Sequence, residues 1–361
     1  VIPPRVLGPV MDGMMHYITD VGFVGPDQGK GGRYLFVRSD YEGPIPDGYF
    51  VIRTRSNRNL LFFRFFIEGG NVDAAVESAR RDFNIYPLAA AGKAPPVRVV
   101  DATGKQFNAI FSNDFSYFEE LNRVVQNEPA ALFEPQLYAT FAAIGIRKGQ
   151  PFEPDARTRK LLTEAVAIGN AYARAITFAP RDAERLRVWP DRQYFDWKGT
   201  WDFVVDDSLS LDDRTRWYYS VTGHSESMVT PRVGAGSVYP YFTRDVNGDY
   251  LDGAKTYSLT MPGPVPARNF WAFTVYDNQT RSLLETDQRS AGIDSNREGL
   301  KPNPDGSYTV WFGPKPPEGC EGNWVQTWPG RGYFVIMRLF GPLEPWFDQS
   351  WRPGDAVPVD E

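Results

Sequence analysis

The chain has one cysteine, Cys320, and two histidines, His16 and His224, in 361 residues. A single cysteine excludes an intrachain disulfide, and so few thiols and imidazoles leave no ordinary zinc or iron ligand set. Cys320 sits in a Pro/Gly loop, KPPEGCEGN, with no histidine or second cysteine nearby in sequence to activate it. No run of about 18 apolar residues is long enough to span a membrane as a helix. The net charge of −6 lacks the basic excess a nucleic-acid partner favours. Arg53, Arg55, Arg58 and Arg64 nevertheless fall close enough together for a local basic patch. Nucleophile-elbow, zinc-protease, Walker and dinucleotide-binding patterns are missing. The GPDQGKGG run lacks the spacing and the Ser/Thr of a phosphate loop and reads as a turn.

What is abundant is aromatic and turn-forming: 25 Phe, 18 Tyr and 10 Trp beside 33 Gly and 30 Pro. That mixture favours many short strands over a helical bundle. The length allows two or three domains. Residues 1–105 read as mostly β, with GGRYLFVRSD and YFVIRTRSN joined by a Pro/Asp/Gly turn. LLFFRFFIEGG reads as a buried strand ended by paired glycines. A short helix is predicted over Asn71–Phe83, with Asn71 as cap and Ala74, Val76 and Ala79 inside. Residues 106–215 carry helical spacing. There Leu161, Leu162, Ala165, Val166, Ile168 and Tyr172 form a broad stripe behind a capping Asp155. Residues 216–361 return to β. Phe270, Ala272, Thr274 and Tyr276 alternate with Trp271, Phe273 and Val275, the period of a β-sandwich or jelly-roll strand. The fold class is mainly β with a helical middle.

Candidate site residues cluster near the C-terminus. Continued alternation puts Tyr276, Asn278 and Thr280 on one face and Asp277, Gln279 and Arg281 on the other. Asn323, Gln326 and Trp328 fall at a strand-to-turn junction. Arg338 lies inside an apolar strand, where its charge needs a partner, Asp277 or Glu344, or a ligand. Trp197 and Trp201, four apart, suit either core packing or stacking on a sugar ring. His224, next to Ser225 and Glu226, is either an acid–base group or a structural histidine, and His16 reads as structural. Asp245, Asn247, Asp249 and Asp252 suggest a calcium loop, but Tyr250 and Thr256 occupy its Gly and Glu positions, and a hairpin turn explains the same letters. No metal and no cofactor is assigned.

Three segments carry a resemblance: GPDQGKGGRYLFV with PDGYFVIR, FWAFTVYDNQTRSLLETDQ, and DGSYTVWFGPKPP with NWVQTWPGRGYFVIMRLFGPLEPWFDQSW. They resemble a bacterial two-part family, domain of unknown function 1254 followed by domain of unknown function 1214. The resemblance implies an immunoglobulin-like β-sandwich, a helical domain and a C-terminal jelly roll, in a periplasmic or secreted protein that forms homo-oligomers. It also implies a further stretch before Val1, and a chain beginning VIPPRVLG without Met fits that expectation.

Two functions follow. One is an enzyme on a sugar-like, polyol or anionic small substrate, with Asp277 and Glu285 as acid and base, His224 as a further candidate, and Arg281 or Arg338 holding an anion. The alternative is a non-catalytic ligand-binding or structural envelope protein whose aromatics serve an oligomer interface.

Overall fold

The computed structural model describes residues 1–105, 110–197, 203–221, 223–288 and 290–359, and within it the chain divides into two units. One holds Val1–Gly169 with a short segment ending at Ser225; the other holds Asn170–Val221 and the chain from Glu226 onward. Both combine strands and helices, so the fold is mixed β and helical.

The first unit opens with β1 (Val6–Met11) and β2 (Tyr17–Gly22), antiparallel with Leu7 opposite Gly22. β3 (Tyr34–Arg38) and β4 (Phe50–Thr54) pair in parallel, so the Pro/Asp/Gly connection carries the chain back to the start of β3 instead of reversing it. The LLFFRFF stretch, expected as one buried strand, divides into β5 (Leu60–Leu61) and β6 (Arg64–Phe65), both on β1. The break faces Gly8 and Pro9. Pro9 has no N–H to return for the bond its carbonyl accepts from Phe62, 3.1 Å. A Cβ on Gly8 would stand 2.0 Å from the Phe62 carbonyl oxygen, so only glycine admits this approach. Phe62, Phe66 and Ile67 end exposed, and the buried core here is Ile2, Val6, Val10 and Val21.

Helices complete this unit. In α1 (Val72–Asp82) the Asn71 side chain accepts from the Ala74 N–H, as predicted. Ala74 and Val76, expected inside, are exposed. α2 (Ser116–Asn127), α3 (Pro135–Ala143) and the start of α4 (Ala156–Phe178) enclose Phe118, Val125, Leu132, Phe133, Ile146, Leu162 and Val166. Asp155 caps α4 through the Thr158 N–H at 2.7 Å. The α4 stripe is narrower than its letters suggest, because Leu161 and Ile168 face solvent. Buried Glu128, just past α2, accepts from the Ser56 hydroxyl (2.8 Å) and the N–H groups of Asn57 (2.6 Å) and Arg58 (3.2 Å).

The second unit begins with short elements: α5 (Ala183–Leu186), β7 (Val204–Val205), β8 (Ser208–Leu209), α6 (Leu211–Ser220) and α7 (Glu226–Val229). Two sheets follow from β9 (Ser237–Val238), β10 (Tyr241–Phe242), β11 (Thr256–Met261), β12 (Ala267–Asp277), β13 (Gly292–Asp294), β14 (Tyr308–Gly313), β15 (Trp324–Gln326) and β16 (Tyr333–Pro342). After α8 (Glu344–Phe347), β17 (Val357–Val359) completes them. One sheet runs β10–β16–β12–β13 with β9 also on β16; the other runs β15–β14–β11–β17. Trp271, Phe273 and Val275 of β12 and Val335, Met337 and Leu339 of β16 share a core with Tyr257, Leu259, Val310 and Phe312 of the other sheet. Phe273 and Phe312 meet edge to face at 5.9 Å. Each such side chain contributes about 1.5–3 kcal/mol by leaving water.

Removing the Glu128 carboxylate takes an acceptor from the buried Ser56 hydroxyl and from the N–H groups of Asn57 and Arg58. Glu128→Ala is therefore expected to cost about 1–2 kcal/mol in urea unfolding, with Glu128→Gln intermediate. Unchanged stability in Glu128→Ala would contradict this account of the loop's anchorage.

Candidate functional site

The inner positions of β12 and β16 fill the core, so their alternate positions form an outer face. Register sets Ala272 opposite Arg338, Thr274 opposite Ile336 and Tyr276 opposite Phe334. Arg338 donates through Nη1 to the Thr274 hydroxyl and through Nη2 to the Tyr276 hydroxyl, the latter at 2.6 Å. Its guanidinium carbon lies 5.7 Å from the ring centres of both Tyr239 and Tyr276, and Tyr276 stacks on Phe334 at 5.2 Å. Neither Asp277 nor Glu344, the partners expected from sequence, meets it: Asp277 has the opposite parity on β12 and is held elsewhere. Among the described residues Arg338 pairs with no carboxylate. A guanidinium has five N–H donors, and hydroxyls that engage two of them leave its charge uncompensated.

Thr274 also lines an adjoining cavity of about 470 Å³, with Ala272, Gln288, Ser290, Asp294 and Arg297. The volume falls in the range of small-molecule sites. Arg297 donates through Nη1 to the carbonyls of Trp324 (3.2 Å) and Gly292 (3.4 Å) and, among the described residues, to no carboxylate. Gln288 is braced against Trp324 and Gln326, and Asp294 accepts from the Asn296 N–H at 2.9 Å. Sequence reasoning missed these four lining residues. The short edge strand β13 that brings them beside β12 is only three residues long and sits in what reads as turn.

The other predicted residues fall into separate roles. β12 stops at Asp277, so the expected alternation through Gln279 and Arg281 does not continue. Asp277 Oδ1 accepts from the N–H groups of Gln279 and Thr280, both 2.8 Å, and Oδ2 from Arg331 at 3.1 Å. Burial pushes the Asp277 carboxyl up, but these donors together outweigh it and hold it below the usual carboxylate range. Arg281 stacks over Tyr219 at 4.0 Å and donates to that residue's carbonyl and hydroxyl oxygens. Asn323 bridges Lys301 and Thr309, and Gln326 pairs with Asp287. Trp328 is exposed at a turn, and Trp197 is buried against Tyr241 at 4.2 Å. Trp201 lies outside the described residues. Asp245 Oδ1 accepts from the N–H groups of Asn247 and Asp249, closing the hairpin whose letters resemble a calcium loop.

Comparison with known proteins matches residues 2–87 to a protein of unknown function (DUF1254) and residues 236–344 to a protein of unknown function (DUF1214). The chain belongs to the two-part family that joins DUF1254 to DUF1214. Among solved structures, the VPA0106 protein from Vibrio parahaemolyticus is similar, with a TM-score of 0.54 at 18% identity over 99% of this chain and 85% of that one. At that identity the likeness concerns the fold alone. A putative uncharacterized protein from Burkholderia cenocepacia matches at 15% identity over 58% of this chain and 44% of its own, with a TM-score of 0.27. No curated protein matches. Arg338, Tyr276 and the adjoining cavity thus belong to the DUF1214 part.

The DUF1254 part contributes His16, and its unit gathers both histidines. His16 Nδ1 lies 3.1 Å from Asp12 Oδ2, while Asp12 Oδ1 accepts from the N–H groups of Met14 and His16. Burial pushes the Asp12 carboxyl up, and the hydrogen bonds and charge of His16 more than reverse it. His224, distant in sequence, is buried 6.5 Å from the Tyr17 ring. Burial first, and the nearby His16 second, lower its imidazole to about 4. Asp12 was missed from sequence; its place four residues before His16 was the available signal. Among the described residues no group of three His, Cys, Asp or Glu could hold a metal.

The unfolded His224 imidazole takes up a proton near 6.5, while the folded one resists until about 4. Its contribution is therefore fully present above pH 6.5 and is lost as pH falls toward 4. The expected slope is up to about 1.4 kcal/mol per pH unit. Urea unfolding across that window should show it in the native protein and a flatter profile in His224→Gln. Equal slopes would remove His224 from this role.

Proposed function

We propose that this protein binds a small polyhydroxylated carboxylate on the outer face of β12 and β16, in the non-catalytic sense. The observation that carries the reading is Arg338: half-buried, held by hydroxyls alone, and joined through Thr274 to a cavity of about 470 Å³. A carboxylate would meet the guanidinium's remaining donors, and Gln288, Ser290 and Asp294 offer hydrogen bonds for hydroxyl groups. Acid–base chemistry through Asp277 draws little support, because its oxygens already close the hairpin and meet Arg331. A second reading rests on the Asp12–His16 pair, whose imidazole side chain is 39% exposed and oriented by a carboxylate as a general base would be.

The core shared by the two C-terminal sheets supports a jelly-roll reading of that unit, and an immunoglobulin-like sandwich stays our reading of the N-terminal strands. The extracytoplasmic setting implied by the family resemblance goes with the same proposal.

The test is a thermal-shift titration with glucuronate, gluconate and glucose. A ligand at 100 times its Kd stabilises the native state by about 2.7 kcal/mol. The sugar acids are expected to raise Tm and glucose to leave it unchanged. Arg338→Gln should weaken the acids about tenfold, whereas Asp277→Asn should bind them as the native protein does. An equal response to glucose, or full binding by Arg338→Gln, would sink the proposal.

A further inference from the structure

The first unit contains a second cavity of about 480 Å³, of different character. Its walls include Tyr34 and Phe36 of β3, Leu61 of β5, and Phe83 and Tyr86 beyond α1. These side chains surround a core with few fully buried residues, so the cavity continues an apolar interior that the chain itself does not fill. Two arginines also line it, and they differ. Arg38 is engaged by Asp40 at 2.8 Å and Asn57 at 2.9 Å. Arg33 is exposed, and among the described residues its guanidinium meets neither a carboxylate nor a hydrogen-bond acceptor. Asp27, a buried carboxylate of the same unit, is already occupied by the Tyr34 hydroxyl and the N–H groups of Gly22 (2.7 Å) and Gly31 (2.9 Å).

An aromatic and aliphatic cavity with an uncommitted guanidinium at its edge fits one class of occupant. We propose that this cavity is a binding site for an amphipathic monocarboxylate, its hydrocarbon chain among Tyr34, Phe36, Leu61, Phe83 and Tyr86 and its carboxylate on Arg33. The chain supplies affinity by leaving water, and the guanidinium supplies the preference for an anion. The site is independent of the sugar-acid proposal, which concerns residues of the other unit.

Calorimetric titration of the full chain with butyrate, hexanoate, octanoate and octanol tests it. Affinity is expected to rise about fourfold per added methylene, the factor that burial of one such group gives, with one molecule bound per chain. Octanoate should bind about tenfold tighter than octanol, and Arg33→Gln should abolish that difference while leaving octanol unaffected. Arg33 is exposed, so this variant is expected to fold, and the chain-length series needs no variant at all. Arg338→Gln should bind octanoate normally. Absence of octanoate binding, affinity independent of chain length, several molecules bound per chain, an unchanged preference in Arg33→Gln, or loss of binding in Arg338→Gln would each overturn the assignment.

Discussion

The antiparallel register of β12 on β16 is the constraint on which the C-terminal half depends. Side chains on a strand alternate strictly, so a one-residue slip would exchange the two faces. In the observed register Phe273, Val275, Met337 and Val335 all point into the shared core. The same register necessarily brings Arg338 beside Thr274 and Tyr276 on the opposite face. The cluster of charge and hydroxyls is thus fixed by the core behind it. Any loosening of those packed rings would carry the arginine with it.

Much of this architecture was legible in the sequence where a local rule decided it. The period of two from Phe270 to Tyr276 gave the correct faces, and Asn71 and Asp155 capped their helices as their positions implied. What escaped depended on partners distant along the chain. Nothing local reveals that β3 and β4 run parallel, or that Leu60–Phe65 is interrupted by Gly8 and Pro9 on a neighbouring strand. Side-chain partners were harder still. Arg338 was expected to seek a carboxylate, yet hydroxyls on the adjacent strand reach it first. Asp277 entered the candidate site by strand alternation, and Asn323 and Gln326 by their place at a strand-to-turn junction. In the fold those positions are where backbone N–H and C=O groups leave the ladder and need side chains to satisfy them.

The two histidines show the same limit from another side. They lie far apart in sequence, and only the tertiary fold brings His224 near His16 and Tyr17. Burial first, and the nearby His16 second, make the neutral form of the His224 ring the stable one, an outcome that neither residue's neighbours in sequence would disclose.

The interruption opposite Gly8 and Pro9 has a bearing on how the chain behaves among other copies of itself. LLFFRFF is the kind of window, rich in aromatic and aliphatic residues, that stacks into cross-β fibrils when it offers a long straight edge. Here the edge amounts to two residues, then a gap, then two more, with Arg64 placed in the second piece. An incoming strand would find no continuous row of donors and acceptors and would have to bury a charge. The irregularity that spoils the expected strand therefore also leaves no continuous edge for another copy of this segment to extend.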